Sequence, residues 1–321
     1  MVSILASEVC RRYHGFAGRP GYYPNISAKQ LQVVTALKQL CAEHGLDIRE
    51  EKELEFLKLL RFCRARNFDL QKAFSMLKAD VEWRQSLKDL RWMTAQEVLQ
   101  CDMARVYRYF PSWVAGRDKQ LRPIAWRKFG LLEMWEITKM TTVENLIRFH
   151  AWEGEQAIRL MYEGAEASGY NIETFLIVID AAHWHVGLAT SDAYKFIKGM
   201  VTTDSDHFPE RLGACIIINA PAMLSLAWRI IVTFLDDVTR RKVNILSHRS
   251  EWLPALLGLI DEDQIPRQYG GTHPDPDPAT AFDSMNPPPR ETSSKADGQL
   301  PEVLDSGEIN VTVTATDSAS A

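Results

Sequence analysis

Cysteine is scarce in this chain of 321 residues. There are five, odd in number and widely scattered (Cys10, Cys41, Cys63, Cys101 and Cys215), and no CxxC pair exists. A disulfide framework or a structural zinc site is therefore disfavoured. Buried free thiols in a reducing compartment are the simpler reading. Catalytic signatures are missing too. The chain has no G-x-S-x-G elbow, no GxxxxGK(S/T), no GxGxxG, no HExxH and no DFG set, which removes the common hydrolase, nucleotide, zincin and kinase motifs. Positive charge is not in excess. With 37 Lys+Arg against 42 Asp+Glu the net charge is −5, which disfavours a dedicated nucleic-acid binder. The first ten residues, MVSILASEVC, lack a basic region and a long apolar run, so no secretory signal is expected. Val2 excludes a myristoylation signal.

What is present is globular. The chain is 46% hydrophobic and 25% charged, and its length allows one large domain or two ordinary ones with a real core. Charge is unevenly spread. Residues 272–321 hold nine acidic residues against Arg290 and Lys295, while the first 271 residues balance 35 basic against 33 acidic ones. That last segment also has seven Pro, and only seven of its fifty residues are Leu, Ile, Val or Phe. It is read as a disordered acidic tail.

One apolar run, ACIIINAPAMLSLAWRIIVTFL at 214–235, is long enough to span a bilayer. Asn219 and Arg229 argue against that, and Ala220-Pro221 punctuates the run. It splits into a β-branched strand at 214–218 and a helix at 222–235 with Pro221 in its first turn.

Helix signals dominate the first part of the chain. Ser27-Ala-Lys-Gln30 is a capping box, and Leu31, Val34, Leu37 and Cys41 form the stripe that follows. A second helix is predicted at 50–63, and a third after an Asp69 N-cap. Further on, strands are predicted at 121–129, 174–180, 214–218 and 242–246. Helices are predicted at 142–163, near 191–200, at 222–235 and near 251–260. The alternation argues for α/β architecture with a largely parallel sheet. Strands 174–180, 214–218 and 242–246 lack period-2 alternation, which suits a sheet covered on both faces.

Two constellations carry chemistry. Asp180 ends a buried strand near His183 and His185, a candidate catalytic or metal group. No nucleophile and no third ligand accompany it, so structural or solvated histidines are the plainer reading. The second constellation is the helix at 222–235, apolar on most sides through Met223, Leu224, Trp228, Ile231, Phe234 and Leu235. Such a helix is either core or faces an apolar ligand or a membrane. Thr239-Arg240-Arg241-Lys242 follows it, and Arg240 and Arg241 would suit contact with an anionic membrane. A solvated charge run is the alternative.

Residues 59–69 (LLRFCRARNFD) with 72–84 (KAFSMLKADVEWR) resemble the N-terminal helical part of the CRAL-TRIO lipid-binding family. FPERLGACIIINAP (208–221), TFLDDVTRRKVNIL (233–246) and IPRQYGG (265–271) continue the resemblance in the family's order. GRPGYYPN at 18–25 is similar to the secretory phosphatidylinositol/phosphatidylcholine transfer branch. The resemblance implies an α/β fold in which a small helical lobe packs on a mostly parallel sheet lobe around a gated apolar pocket. It also implies one exchangeable lipid and no covalent chemistry. Four units are expected: an extension at 1–26, a helical lobe at 27–95, a lipid-binding domain at 96–271 and the tail at 272–321.

The same resemblance implies headgroup contacts at Arg66, Glu210, Thr239 and Lys242, whose chemistry suits phosphate and inositol hydroxyls. It places the gate at 222–235. Where resembling proteins carry a polar pair for phosphatidylcholine, this chain has Phe175 and Ile177. Asn67 replaces a second basic residue, and Asp180-Ala-Ala-His183 replaces D-x-x-G. The expected ligand is therefore phosphatidylinositol, with a sterol or isoprenoid carrier, or a lipid-sensing scaffold, as alternatives. The expected setting is a cytoplasmic monomer that touches membranes transiently, with no cofactor and no metal.

Overall fold

The computed structural model describes residues 20–23, 25–48, 53–87, 89–283 and 285–288. Three helices form the first lobe. The Ser27 hydroxyl accepts from Gln30 N, and the Gln30 side chain accepts from Ser27 N, which starts α1 (Ala28–Glu43). The second helix, α2 (Glu55–Ala65), turns sharply into α3 (Leu70–Ser86), whose N-cap is Asp69. Asn67 and Phe68 make that turn at positive φ, and Phe68 N bonds back to Cys63 O. Val34, Leu37, Leu60, Phe62, Cys63 and Leu77 fill the core of the lobe.

Two short helices, α4 (Ala95–Leu99) and α5 (Met103–Tyr107), lead into the sheet lobe. Its chain order is β1 (Ser112–Arg117), β2 (Pro123–Arg127), α6 (Met134–Ile137), α7 (Val143–Ser168), β3 (Phe175–Asp180), α8 (Ser191–His207) and β4 (Leu212–Ile218). Then come α9 (Leu224–Ile231), α10 (Asp237–Arg241), β5 (Val243–Ile245) and α11 (Arg249–Leu259). The strands lie side by side in chain order, antiparallel between β1 and β2 and parallel thereafter. One face carries the main core, where Leu176, Val178, Ile216 and Ile218 meet Phe149, Trp152, Phe196 and Trp252.

The other face is covered as well, but less tightly. Burial along β3 alternates strictly, because Phe175, Ile177 and Ile179 are only half buried. These strands are apolar on both faces, and on the second a small cluster, with Cys215 and Ile217 buried near Leu224 and Trp228, borders a cavity. Strand β5 at the sheet edge exposes Asn244 and Ile245. The antiparallel β1 escapes the sequence pattern. It is a short edge strand with a register shift and Gly116 at φ +76, where a Cβ would lie 2.9 Å from Gln264 O.

Two further corrections concern boundaries. The apolar helix is shorter than 222–235. Residues 222–223 form a turn, α9 covers Leu224–Ile231, and a 3₁₀ turn (Val232–Phe234) follows. Asp236 then caps the next helix. The tail does not begin at 272, because Phe282 and Met285 are buried in the main core, where Phe282 packs on Phe149 and Tyr107. A low average apolar content hides two anchoring side chains. Residues 1–19 and 289–321 lie outside the described residues, with most of the extension and tail expected there.

A buried ion network joins the lobes. Glu53 accepts from Arg61 and from Arg211 of the sheet lobe, and Arg61 also donates to Pro209 O. Burial alone would raise the Glu53 pKa. The Arg211 and Arg61 cations outweigh it and hold the carboxyl down at about 2. Arg211 is thus a lobe-joining residue whose partner is Glu53, and its sequence neighbour Glu210 points elsewhere. Among the described residues no helix is long and apolar enough to cross a membrane.

Candidate functional site

The half-buried face of β3 opens onto two adjoining cavities. The first, about 200 Å³, is walled by Ile177, Ile179 and Ile217 of the sheet, by Ile197, Met200 and Val201 of α8, and by Leu224, Trp228 and Ile231 of α9. The second, about 340 Å³, is polar. Arg64, Arg66, Asn67, Glu210, Asp236, Thr239 and Lys242 line it, together with Phe175 and Ile177. Ile177, Val201, Asp204, Leu212, Leu235 and Thr239 belong to both, so an apolar chamber continues into a charged one.

Three groups converge on a single oxygen of the polar chamber. Glu210 Oε2 accepts from the Tyr22 hydroxyl at 2.8 Å. Lys242 Nζ lies 3.9 Å from it and Arg64 Nε 4.0 Å. Glu210 is held at φ +61 after Pro209, and its side chain is only 12% exposed. Thr239 donates its hydroxyl to Asp236 Oδ2 and its N–H to Asp236 Oδ1. Burial would raise the Asp236 pKa, but these bonds and Lys242 bring it below the usual range. Arg66 lines the same chamber, and its Nη1 donates to the adjacent Ala65 O.

Helix α9 covers the apolar chamber. Its inner side presents Leu224, Ala227, Trp228 and Ile231. Its outer side shows Leu226 (60% exposed), Ile230 (47%) and, from the preceding turn, Met223 (49%). Arg229, Arg240 and Arg241 are exposed around it. Of the expected gate residues, Leu224, Trp228, Ile231 and Leu235 line the chamber. Met223 and Phe234 do not. The Phe234 ring lies 6.0 Å from Lys198 Nζ.

The structure also holds groups that the sequence did not single out. Arg64 and Tyr22 stack at 4.0 Å beside Glu210. Where the two chambers join, Asp204 pairs with His150 at 2.8 Å, and Glu153 sits between His150 and Arg127. A histidine at mid-helix in α7 gives no sequence signal of such a partner. The Asp180 constellation does not assemble. Asp180 accepts from Ala182 N, Asn219 Nδ2 and the Tyr269 hydroxyl, while His183 and His185 are exposed. Asp180 therefore serves to fasten the IPRQYGG segment to the end of β3. The described cysteines, Cys41, Cys63, Cys101 and Cys215, are free.

The family model described as "CRAL/TRIO domain" matches residues 107–271, and that described as "CRAL/TRIO, N-terminal domain" matches 33–79. The chain belongs to the CRAL/TRIO family. It is 32% identical over 241 residues to the "SEC14 cytosolic factor" of Candida glabrata, covering 74% of this chain and 76% of that one. It is 30% identical over 253 residues to an Arabidopsis thaliana "Phosphatidylinositol/phosphatidylcholine transfer protein SFH4", covering 76% of this chain but 40% of the plant protein. A Yarrowia lipolytica "SEC14 cytosolic factor" is also 30% identical, with half of its length spanned. The crystal structure of Sfh5 shares the CRAL/TRIO fold, with a TM-score of 0.59 at 17% identity over 79% of this chain and 91% of that one.

Proposed function

We propose that this protein binds one phosphatidylinositol molecule and exchanges it between membranes. The observation that carries this reading is the join between the two chambers under α9, one lined by aliphatic groups and one by Glu210, Thr239 and Lys242. Acyl chains require such enclosure. Exposing about 30 methylenes to water costs on the order of 20–25 kcal/mol at about 0.8 kcal/mol each. Lys242, with Arg66, meets the phosphate, and Glu210 accepts from inositol hydroxyls. Phe175 and Ile177 offer no hydrogen bond to a second headgroup class, which disfavours phosphatidylcholine. Similarity to a phosphatidylinositol/phosphatidylcholine transfer protein supports lipid exchange as the class of function.

A drug-sized ligand takes roughly 300–1,000 Å³; the apolar chamber falls below that range and the polar one sits at its lower end. A two-chain lipid therefore enters only if α9 swings outward and the chambers merge. An outward swing bares Leu224, Trp228 and Ile231, which a membrane tolerates and water does not. Met223, Leu226 and Ile230 with Arg229, Arg240 and Arg241 make the docking face. The test is transfer of labelled lipids between vesicles by Lys242→Glu. Phosphatidylinositol transfer should fall about tenfold or more, the worth of a charge-assisted bond, with an uncharged apolar cargo carried as before. Loss of both cargoes, or of neither, contradicts the headgroup assignment.

A further inference from the structure

The polar chamber contains a cation whose bonding is incomplete. Arg64 sits at the α2–α3 turn with its side chain 6% exposed. Its Nη2 makes one long contact, 3.5 Å to Glu173 Oε2. Among the described residues its Nε and Nη1 have no hydrogen-bond partner. Buried guanidinium donors without acceptors are costly and uncommon. The Tyr22 ring covers the guanidinium at 4.0 Å, and the Tyr22 hydroxyl donates to Glu210 Oε2.

That oxygen also lies 3.9 Å from Lys242 Nζ and 4.0 Å from Arg64 Nε. Both separations exceed a hydrogen bond, so one carboxylate oxygen stands between two cations as a counter-charge without bonding directly to either nitrogen. The two nitrogens are therefore no more than about 8 Å apart. A tetrahedral oxyanion bridges such a gap with two different oxygens, each in a charge-assisted bond of about 2.7–2.9 Å. The Glu210 backbone at φ +61 marks a residue kept in an unfavourable conformation by its surroundings.

We propose that Arg64 and Lys242 form a phosphate-binding pair, and that Glu210 is a built-in counter-anion that the ligand's phosphate displaces from between them. Tyr22 is its latch, since the hydroxyl that holds Glu210 belongs to the residue that covers Arg64. The inference rests on reading the polar chamber as a headgroup site and adds Arg64 to it as a specificity-determining residue. The shared chemistry is a phosphate oxyanion, which a lipid headgroup or free phosphate can supply.

The test uses the full chain as wild type, Arg64→Gln, Arg64→Lys and Glu210→Gln, after thermal melts establish folding. Each is titrated with inorganic phosphate. Each is also mixed with phosphatidylcholine vesicles, with and without phosphatidylinositol, and the lipid extracted is measured. Arg64→Gln should extract phosphatidylinositol about tenfold less well or worse, with Arg64→Lys in between. Glu210→Gln should bind inorganic phosphate about fivefold more tightly, the factor for ~1 kcal/mol between charges at this spacing. If Arg64→Gln does not fold, the Glu210→Gln titration decides alone. Wild-type extraction that both variants leave unchanged overturns the pair and keeps the lipid reading. A phosphate affinity that falls in Glu210→Gln also overturns the pair. Phosphate binding that tightens in Glu210→Gln, without phosphatidylinositol extraction by any form, supports the pair and points to free phosphate instead. Binding of neither probe by any form overturns both.

Discussion

Individual side chains in this protein are placed by partners far away in sequence. Glu210 adopts a left-handed backbone that costs an L-residue about 1–2 kcal/mol, and Tyr22 reaches its carboxylate across 188 residues. The segments FPERLG and TRRK drew attention to Glu210, Thr239 and Lys242, and all three line one chamber. Arg64 carries no such signal: the segment LLRFCRARNFD drew attention to Arg66, and the burial of Arg64 is visible only in the fold, where Glu173, Glu210 and Tyr22 surround it. His150 shows the same limit with a measurable consequence. Burial alone would lower its pKa, but the Asp204 carboxylate at 2.8 Å, helped by Glu153, raises it from 6.5 to about 9. A group raised on folding contributes stability that is complete below pH 6.5 and fades as pH climbs through 9. Wild-type stability should therefore drop between pH 7 and 10 by on the order of 1–3 kcal/mol more than that of His150→Gln, followed by urea melts. Parallel pH profiles would show that the pair couples weakly.

Among the elements, α9 carries the proposed exchange of lipid. Composition identifies it as unusually apolar but cannot locate its ends, because Val232, Thr233 and Phe234 are as apolar in pattern as the helix before them. The structure ends the helix where a 3₁₀ turn brings Leu235 back to the chamber and Asp236 caps α10. Its outward residues Leu226 and Ile230 keep 60% and 47% of their surface in water, so they separate membrane docking from stability. Leu226→Asp and Ile230→Asp should shift the melting free energy by no more than about 0.5 kcal/mol. Each should weaken sedimentation with anionic vesicles by roughly tenfold or more, since a fully buried side chain of this kind is worth about 1.5–3 kcal/mol. Unchanged sedimentation would move the docking face elsewhere. The sheet was read well in its parallel part, where three apolar strands alternate with helices. The cavity against its second face was not legible, because an apolar cavity wall and a packed core demand the same residues.

At the scale of the whole molecule, two lobes with separate cores meet through charge and through Trp83, which stacks on His207 and packs edge-on against Phe208. Glu53 binds Arg61 and Arg211, and Arg64 of the first lobe reaches Glu173 of the second. The polar chamber lies at this seam, so its residues come from both lobes and no single segment announces it. The end of the fold was also hidden, since Phe282 and Met285 extend the core past the acidic composition change. The most direct test of the account is native mass spectrometry of the purified full chain, with extraction and identification of the lipid it carries. The account predicts one bound phosphatidylinositol per chain, lost from Lys242→Glu while the protein stays folded. A sterol, an isoprenoid or phosphatidylcholine in its place, or phosphatidylinositol retained by Lys242→Glu, would contradict it.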